Sequence, residues 1–546
     1  MTSDPPPFGP PAIATSPQIT RLRRQAVGDP LTVLALMRAR GLCGAGFVLL
    51  ESLGPDLPTT RRSVLVPRPV LRIEARDGVV RASALVPGGE PMLDALQARL
   101  PGAQRDCACV TAQFAASIPS PDQPDDVRLR LPSILDAVRA VAGLVADRDA
   151  DAQGARPPAL PPGVFGVLAY DLVDQLEILP PRQAGDSTAA DPDFTFVLGT
   201  DYVLWQHQEQ ECEVVTRGLP WERTTEVAAR HRAQVDALRV EAGSADREAE
   251  PAPTRHAPAP AVPEVSDAAF LQGVETFRTH VFAGDIFQGV LSRGLTMTSD
   301  APALATYRAL RTTNPSPYMF CFDLGGDAGD GTLLGASPEA FLRVEDGEVE
   351  IRPIAGTAPR GRAPDGSIDA DLDARLALGM LLDPKEQAEH AMLLDLARND
   401  VARVARAGTC RVVQQFAFEK YSHVQHLVSR VRGALRPGLD ALHAYRAAAN
   451  MGTLTGAPKL EAMRLIRLNE PSPRGFYGGA AGYVLQDGRM DTCIVIRALR
   501  QRGSMYHTRV GAGVMAASVP ARELAEIEAK AMACRVAVAN AEGERT

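Results

Sequence analysis

Residues Leu381 to Arg406 read LLDPKEQAEHAMLLDLARNDVARVAR. Pro384 suits the first turn of a helix, and from there Glu386, Glu389, Leu393 and Leu396 or Ala397 recur at three-to-four spacing, so they share one face. Two readings of that face stand side by side. Glu386 and Glu389 are the wet edge of an amphipathic helix, or they are carboxylates turned toward a core. A carboxylate facing a core is costly without a partner, and a bound cation is a good one. A second stretch near the C-terminus, PARELAEIEAKAMACRVAVA (Pro520 to Ala539), repeats the design, with Glu523 and Glu526 at the same i, i+3 spacing. Two helices that each offer a carboxylate pair can grip one hard, oxygen-preferring cation between them, and that is the expectation around which the chain is read.

The chain has 546 residues, 45% of them hydrophobic and 23% charged, with a formal net charge of −8. Length implies two to four domains' worth of sequence, and the composition is that of a soluble globular protein. The acidic balance argues against nucleic acid as a main partner, because phosphate binding needs a basic field; the only basic cluster is Arg21 to Arg24. Eight scattered cysteines without CxxC or zinc-like spacing read as reduced, mostly buried thiols. No signal sequence opens the chain, and no apolar run reaches the roughly 18 residues that a membrane span needs. A cytoplasmic protein with no membrane partner is expected.

Residues 1–20, rich in proline, read as a disordered leader, since they offer little surface to bury. From 21 to 240 short strand patterns (GFVLLES, SVLVP, VLRIEAR, VVRASAL, FTFVLGTDYVLW, ECEVVTR) mix with helical ones at LTVLALMRA and Glu222 to Val240. Residues 241–266, biased to Ala, Pro and charge, read as a linker and mark the main boundary. A denser second half, 267–540, follows, with helices at Asp267 to Ala283 and Leu439 to Asn450, and a strand meander from Arg474 to Ala516. Strands and helices do not alternate regularly. The fold class expected is α+β, with mixed, largely antiparallel sheets flanked by helices.

Four glycine-rich spots punctuate that half: GASPE (Gly335 to Glu339), IAGTAPRG (Ile354 to Gly361), GTLTGAPK (Gly452 to Lys459) and Gly511-Ala512-Gly513. Each alone is a turn. Together with two acidic helices they suggest a small anion held by backbone amides, an arginine and a metal. None is a P-loop, and no dinucleotide fingerprint occurs. His423 and His426 sit three apart, and a lone histidine is most often structural. Arg497, inside the apolar run TCIVIRAL, needs an anionic partner, either a protein carboxylate or a ligand's. Tyr477 is flanked by glycines that leave its hydroxyl accessible.

GASPE, PIAGTAPRG, EHAMLLDLARND, TGAPK, FYGGAAGY and VGAGV, in this order from about Val265 to Ala539, resemble the chorismate-utilising enzymes. LLES (Leu49 to Ser52), GVFGVLAYDLVDQLEILP and NPSPYM narrow the resemblance to anthranilate synthase component I in its tryptophan-inhibited bacterial form. The resemblance implies that family's two-sheet sandwich, with an N-terminal regulatory domain over 21–240 and a chorismate-binding domain over 267–540. It implies Mg²⁺ held by Glu389 and Glu526, with Glu386 and Glu523 beside them as second-layer or water-mediated ligands. It places chorismate on Gly356, Thr357, Tyr477, Arg497 and the amides of Gly511, Ala512 and Gly513. Glu339 is implied as general acid on the departing 4-hydroxyl, His426 as the group assisting elimination, and Thr357 as a further catalytic residue. Ser52, Pro317, Tyr318 and Met319 match the tryptophan pocket.

Two positions separate relatives. Enzymes making aminodeoxychorismate carry a nucleophilic lysine where this chain has Ala355, which cannot attack. Isochorismate and salicylate synthases carry a water-activating lysine where this chain has Gln288, and ammonia needs no such base. The reaction implied is conversion of chorismate and ammonia to anthranilate and pyruvate, in tryptophan biosynthesis. No glutamine amidotransferase signature is present. A separate glutaminase subunit, anthranilate synthase component II, is therefore implied as the ammonia source, in a heterotetramer of two large and two small subunits. The alternatives are an aminodeoxychorismate synthase component and a catalytically silent tryptophan-binding regulator.

Overall fold

The computed structural model describes residues 8–53, 62–115, 120, 123–148, 157–181, 191–239, 256–325, 331–421 and 424–543. Its frame is two sheets, each of thirteen strands among those residues, and both sheets run through both halves of the sequence. In the first, the C-terminal half supplies the strands from Val262–Pro263 to Tyr318–Asp323, and the N-terminal half continues from Val48–Glu51 to Val145–Asp147. The join is antiparallel, with Met319 opposite Glu51 and Phe322 opposite Val48. The second sheet is joined the same way, Ala480–Leu485 lying against Gly163–Leu168 with Gly482 opposite Gly166.

Among the described residues all strand pairs are antiparallel except Ile13–Thr15 beside Val145–Asp147. The α+β expectation therefore holds, whereas the boundary expected at 241–266 is not where the molecule divides. Residues 240–255 lie outside the described set. From His256 the segment is docked, not loose: Ala259 N–H donates to the Arg535 carbonyl at 3.1 Å, and Val262–Pro263 pairs with Leu295–Thr296.

The leader needs a second correction. Residues 1–7 lie outside the described set, but Ile13–Arg23 is an eleven-residue strand paired along Glu211–Gly218. Proline content suggested disorder, yet Pro17 sits beyond Thr15, where that strand has become an edge; an edge is where a residue without an N–H is tolerated. The helices Glu90–Gln97 and Leu135–Ala142 also went unread.

Apolar side chains fill three principal layers. Between the sheets lie Val48, Phe165, Val197, Phe320 and Val495. Outside the second sheet the Pro384–Val404 helix packs Leu394, Val401 and Val404 against Phe341, Val349 and Val431. Outside the first, the Pro520–Gly543 helix packs Cys534, Ala537 and Val538 against Met297 and Tyr506. Each layer buries one helix stripe or sheet face. The eight cysteines are free, and no described helix is long and apolar enough to cross a membrane.

Candidate active site

The two acidic helices begin where the sequence places them. Asp383 caps the first, accepting from Lys385 N–H at 2.8 Å and Glu386 N–H at 3.3 Å, with Pro384 at its first position; such a cap satisfies amides that the helix cannot. Pro520 opens the second. Glu386 and Glu389 from one, and Glu523 and Glu526 from the other, line a single cavity of about 750 Å³. The same cavity takes in Glu339, Gly356, Thr357, His426, Tyr477, Arg497, Gly511 and Gly513. Residues up to 245 positions apart in sequence, Gln288 and Ala533, are thus gathered (533 − 288).

Two strand crossovers deliver the central pair. Thr332–Ser337 belongs to the first sheet and Ala340–Glu345 to the second, so Glu339 sits on the step between them. Arg497 sits on the reverse step, from Met490–Ile494 to Ala498–Arg502. The two steps are adjacent, because Ile494 N–H donates to the Glu339 carbonyl at 3.0 Å. Arg497 has φ of +49°, a left-handed conformation that is unfavourable outside glycine and is found at functional positions.

Burial sets the protonation of this pair. It pushes the Glu339 carboxyl up to about 8, against the opposing pull of Thr453, Arg497 and Lys530 beside it, so the acid is protonated at neutral pH. Burial also lowers Arg497, whose guanidinium has no carboxylate in ion-pair contact among the described residues. Of the two partners open to this arginine in the sequence, the protein carboxylate is therefore not supplied by the described residues.

His426 Nδ1 lies 3.0 Å from Thr357 Oγ1 and 3.3 Å from the Gly356 carbonyl. A carbonyl only accepts, so Nδ1 carries the proton and Nε2 is the basic nitrogen. Burial pushes this ring down to about 4, which keeps it neutral. Gly356 makes the bulge that brings Thr357 opposite His426; its φ of +74° and the approach of Glu386 Oε2 within 2.9 Å of where a Cβ would stand both require glycine.

Backbone amides face the cavity at two of the three expected positions. Val290 and Ser292 send their N–H groups to the Thr455 carbonyl (2.9 Å) and the Glu470 carboxylate (2.8 Å), so their cross-strand partners, Gly513 and Gly511, form the non-hydrogen-bonded pairs. The Gly511 carbonyl accordingly points off the sheet and accepts from Lys530 Nζ at 2.9 Å. The adjoining strand pairs only as far as His507, leaving the N–H groups of Gly511 and Gly513 on an open edge. Ala512 is a correction: it stands opposite Leu291 in the alternate, hydrogen-bonded register, and its side chain packs in the core.

The Tyr477 hydroxyl lies 2.7 Å from where a Cβ on Gly511 would be, and burial pushes it up to about 12. Tyr477 also walls off a neighbouring cavity of about 380 Å³ whose cations are already matched, Arg474 by Glu470 and Arg500 by Asp191.

At the carboxylate end, burial and then the repulsion of Glu386 raise Glu389, with Glu526 adding to it. Glu523 is raised by burial. Glu526 is half-exposed and pairs with Lys530 at 2.7 Å. Among the described residues no three acidic, histidine or cysteine side chains converge closely enough to hold an ion in this arrangement. Crowded, mutually repelling oxygen donors are nevertheless the donor set a hard divalent cation takes. Lys530 and Lys385, both lining the cavity, are absent from the sequence reading; Lys530 is legible only as the i+4 neighbour of Glu526. Gln288 lines the cavity too, with its Oε1 buried and unpartnered among the described residues. His423 lies outside them.

Ser52, Pro317, Tyr318 and Met319 meet in a separate cavity of about 90 Å³ at the seam of the first sheet. Leu53 N–H donates to the Ser316 carbonyl at 3.0 Å, and the Tyr318 hydroxyl donates to Asp491 at 3.1 Å. Pro317 lines this cavity and the large one alike.

The chorismate binding enzyme family matches residues 111–535. Anthranilate synthase component 1 of Vibrio parahaemolyticus is 40% identical over 495 residues, covering 89% of this chain and 87% of that protein. The protein of the same name from Escherichia coli is 39% identical over 512 residues, 92% of this chain and 94% of its own length. The crystal structure of anthranilate synthase component I from Streptococcus pneumoniae matches with a TM-score of 0.64 at 27% identity, over 88% of this chain and 93% of that one. With whole-length relatives of that name and the cavity just described, this chain belongs to the chorismate binding enzymes, within the anthranilate synthase component 1 branch.

Proposed function

We propose that this chain is the chorismate-aminating lyase subunit of an anthranilate synthase, converting chorismate and ammonia to anthranilate and pyruvate. The observation that carries the reading is one cavity holding a protonated buried acid, Glu339, beside a guanidinium, Arg497, that has no ion-paired carboxylate among the described residues. Arg497 and the N–H groups of Gly511 and Gly513 suit the enolpyruvyl carboxylate, since a planar guanidinium binds a carboxylate through two parallel bonds. The residues at the helix ends suit Mg²⁺, which would be held by Glu389 and Glu526, with Glu386 and Glu523 beside them. Bound there, it would neutralise the charge of the ring carboxylate.

The chain's own groups then divide the proton work. Glu339 gives its proton to the departing 4-hydroxyl as ammonia bonds to ring carbon 2. In the second step the proton on carbon 2 leaves, the bond from carbon 3 to the enolpyruvyl oxygen breaks, and the ring becomes aromatic. His426, neutral with Nε2 basic, is suited to assist that elimination. Ala355 offers no nucleophile and Gln288 no base, which disfavours aminodeoxychorismate and isochorismate chemistry. A glutaminase subunit supplies the ammonia, and tryptophan in the 90 Å³ cavity inhibits.

Purified chain incubated with chorismate, MgCl₂ and ammonium tests this by anthranilate fluorescence, with and without EDTA and tryptophan. Anthranilate formation, abolished by EDTA, is expected. Aminodeoxychorismate without anthranilate reassigns the reaction, and tryptophan binding without turnover makes the chain a silent regulator.

A further inference from the structure

His390 follows Glu389 on the acidic helix, yet it is wholly buried. Its Nε2 shares a 2.6 Å hydrogen bond with Ser429 Oγ, and Ser429 is itself fully buried in the Val424–Ala434 strand, three residues beyond His426. Ser429 is held twice more. Its Oγ accepts the Phe416 N–H at 3.1 Å, and its own N–H donates to the Pro353 carbonyl at 3.1 Å. The Phe416 ring packs on the imidazole at 4.9 Å between centroids, and Phe416 itself is left-handed, with φ of +49°, at a register shift in its strand.

This arrangement is an expensive way to fill a core. The other imidazole nitrogen, Nδ1, is buried without a partner among the described residues, and such a group costs free energy that an apolar side chain would not. Replacing both members of a buried hydrogen bond by apolar groups is often close to neutral for stability. What apolar packing does not supply is direction. It leaves a helix free to settle by rotation or sliding, and one residue's step turns a helix face by about 100°. A short hydrogen bond has a distance and an angle to satisfy. Placed one residue from Glu389 and four from Glu386, it fixes where those carboxylates stand relative to the strand that carries His426.

We infer that the His390–Ser429 hydrogen bond is a positioning device for the cation site, holding Glu386 and Glu389 at the angle at which a divalent ion is bound. This rests on the proposed Mg²⁺ reading, and the experiment separates the two. Mg²⁺ binding to the full chain without chorismate is measured by calorimetry for the unaltered protein, Ser429→Ala, His390→Gln and the double variant His390→Leu/Ser429→Ala, each with its Tm. The unaltered chain binds Mg²⁺. Ser429→Ala and the double variant bind it roughly 10-fold to 100-fold more weakly, the range for groups that orient metal-binding carboxylates. The double variant keeps its Tm within a few degrees, and His390→Gln, which still offers Ser429 a polar partner, recovers most of the affinity. KM for ammonium is unchanged throughout. Unaltered affinity in the folded double variant overturns the positioning role while leaving the Mg²⁺ reading intact. Absence of Mg²⁺ binding by the unaltered chain overturns both.

Discussion

His426 Nδ1 and Thr357 Oγ1 stand 3.0 Å apart, across a strand pair whose bulge exists because Gly356 takes a conformation other residues avoid. The threonine and the Gly356 carbonyl together hold the imidazole in one tautomer, which leaves Nε2 unprotonated in a ring that lines the cavity. His426→Asn removes that base. A drop in kcat of about 10²–10³-fold is expected, in line with loss of a general base, with KM for chorismate nearly unchanged. Thr357→Val keeps the ring but releases its Nδ1 anchor, and a loss of roughly tenfold is expected. Steady-state anthranilate fluorescence measures both; equal losses in the two variants would mean that the threonine acts on substrate directly and not through the ring.

Glu339 gives the pH dependence. Its carboxyl, pushed up to about 8 by burial, is protonated below that value and lost as a proton donor above it. With free ammonia held constant, kcat falls as pH rises through about 8, and Glu339→Gln both slows the reaction and removes that limb. Stability has the same origin. The folded-state pKa is raised above the unfolded value of 4.5, so stability from this group is complete below about 4.5 and is lost progressively as pH rises to about 8. Glu339→Gln therefore unfolds at a higher Tm than the unaltered chain at pH 8.5, and the advantage vanishes near pH 4.5. A Tm difference independent of pH would contradict the buried, neutral acid.

How far the sequence reaches is visible in the same residues. The acidic helices were legible because i, i+3 carboxylates and an opening proline are local signals, and Pro384 and Pro520 open the two helices as read. Strand patterns such as VLRIEAR were legible by alternation and became Leu71–Arg76. The roles of Glu339 and Arg497 as neighbours were not, because each depends on which sheet the next strand joins, and no window of sequence around GASPE or TCIVIRAL encodes that choice. The same nonlocality defeated the leader: Ile13–Arg23 orders by pairing with a strand nearly two hundred residues away, which overrides its proline content. The linker boundary failed because a break in composition is not a break in a sheet. The two halves share both sheets edge to edge, and only pairing partners reveal it.

Pro317 faces both the seam cavity and the large cavity, so a ligand in the first bears on the wall of the second. That is a physical route for the proposed inhibition by tryptophan, as a shift between arrangements of one shared segment. Ser52→Phe fills a cavity of only about 90 Å³ without reaching the large one. Uninhibited kcat within about twofold of the unaltered chain is expected, with the tryptophan concentration for half-inhibition raised at least tenfold, a coupling loss of about 1.4 kcal/mol or more. Inhibition curves at fixed chorismate measure this, and unchanged sensitivity would place the inhibitor elsewhere.

Gly511 and Tyr477 are coupled by space alone. A Cβ at position 511 would stand 2.7 Å from the Tyr477 hydroxyl and 3.0 Å from the Leu291 carbonyl, and the strand is too well paired on that side to move. Gly511→Ala therefore displaces the tyrosine ring, at a cost of about 1–3 kcal/mol typical of overpacking, and it turns one open-edge amide away from the substrate carboxylate. Lower Tm and a raised KM for chorismate are expected together. Tyr477→Phe deletes the oxygen that the new methyl meets, so the pair Gly511→Ala/Tyr477→Phe should recover stability relative to the sum of the single effects, by about 0.5–1.5 kcal/mol as contacting residues do. KM should not recover, because the hydroxyl and the amide geometry are both still altered. Thermal denaturation of the four proteins of the cycle measures the first term and chorismate titrations the second; strict additivity in Tm would mean that the Leu291 carbonyl, not the tyrosine, sets the requirement for glycine at 511.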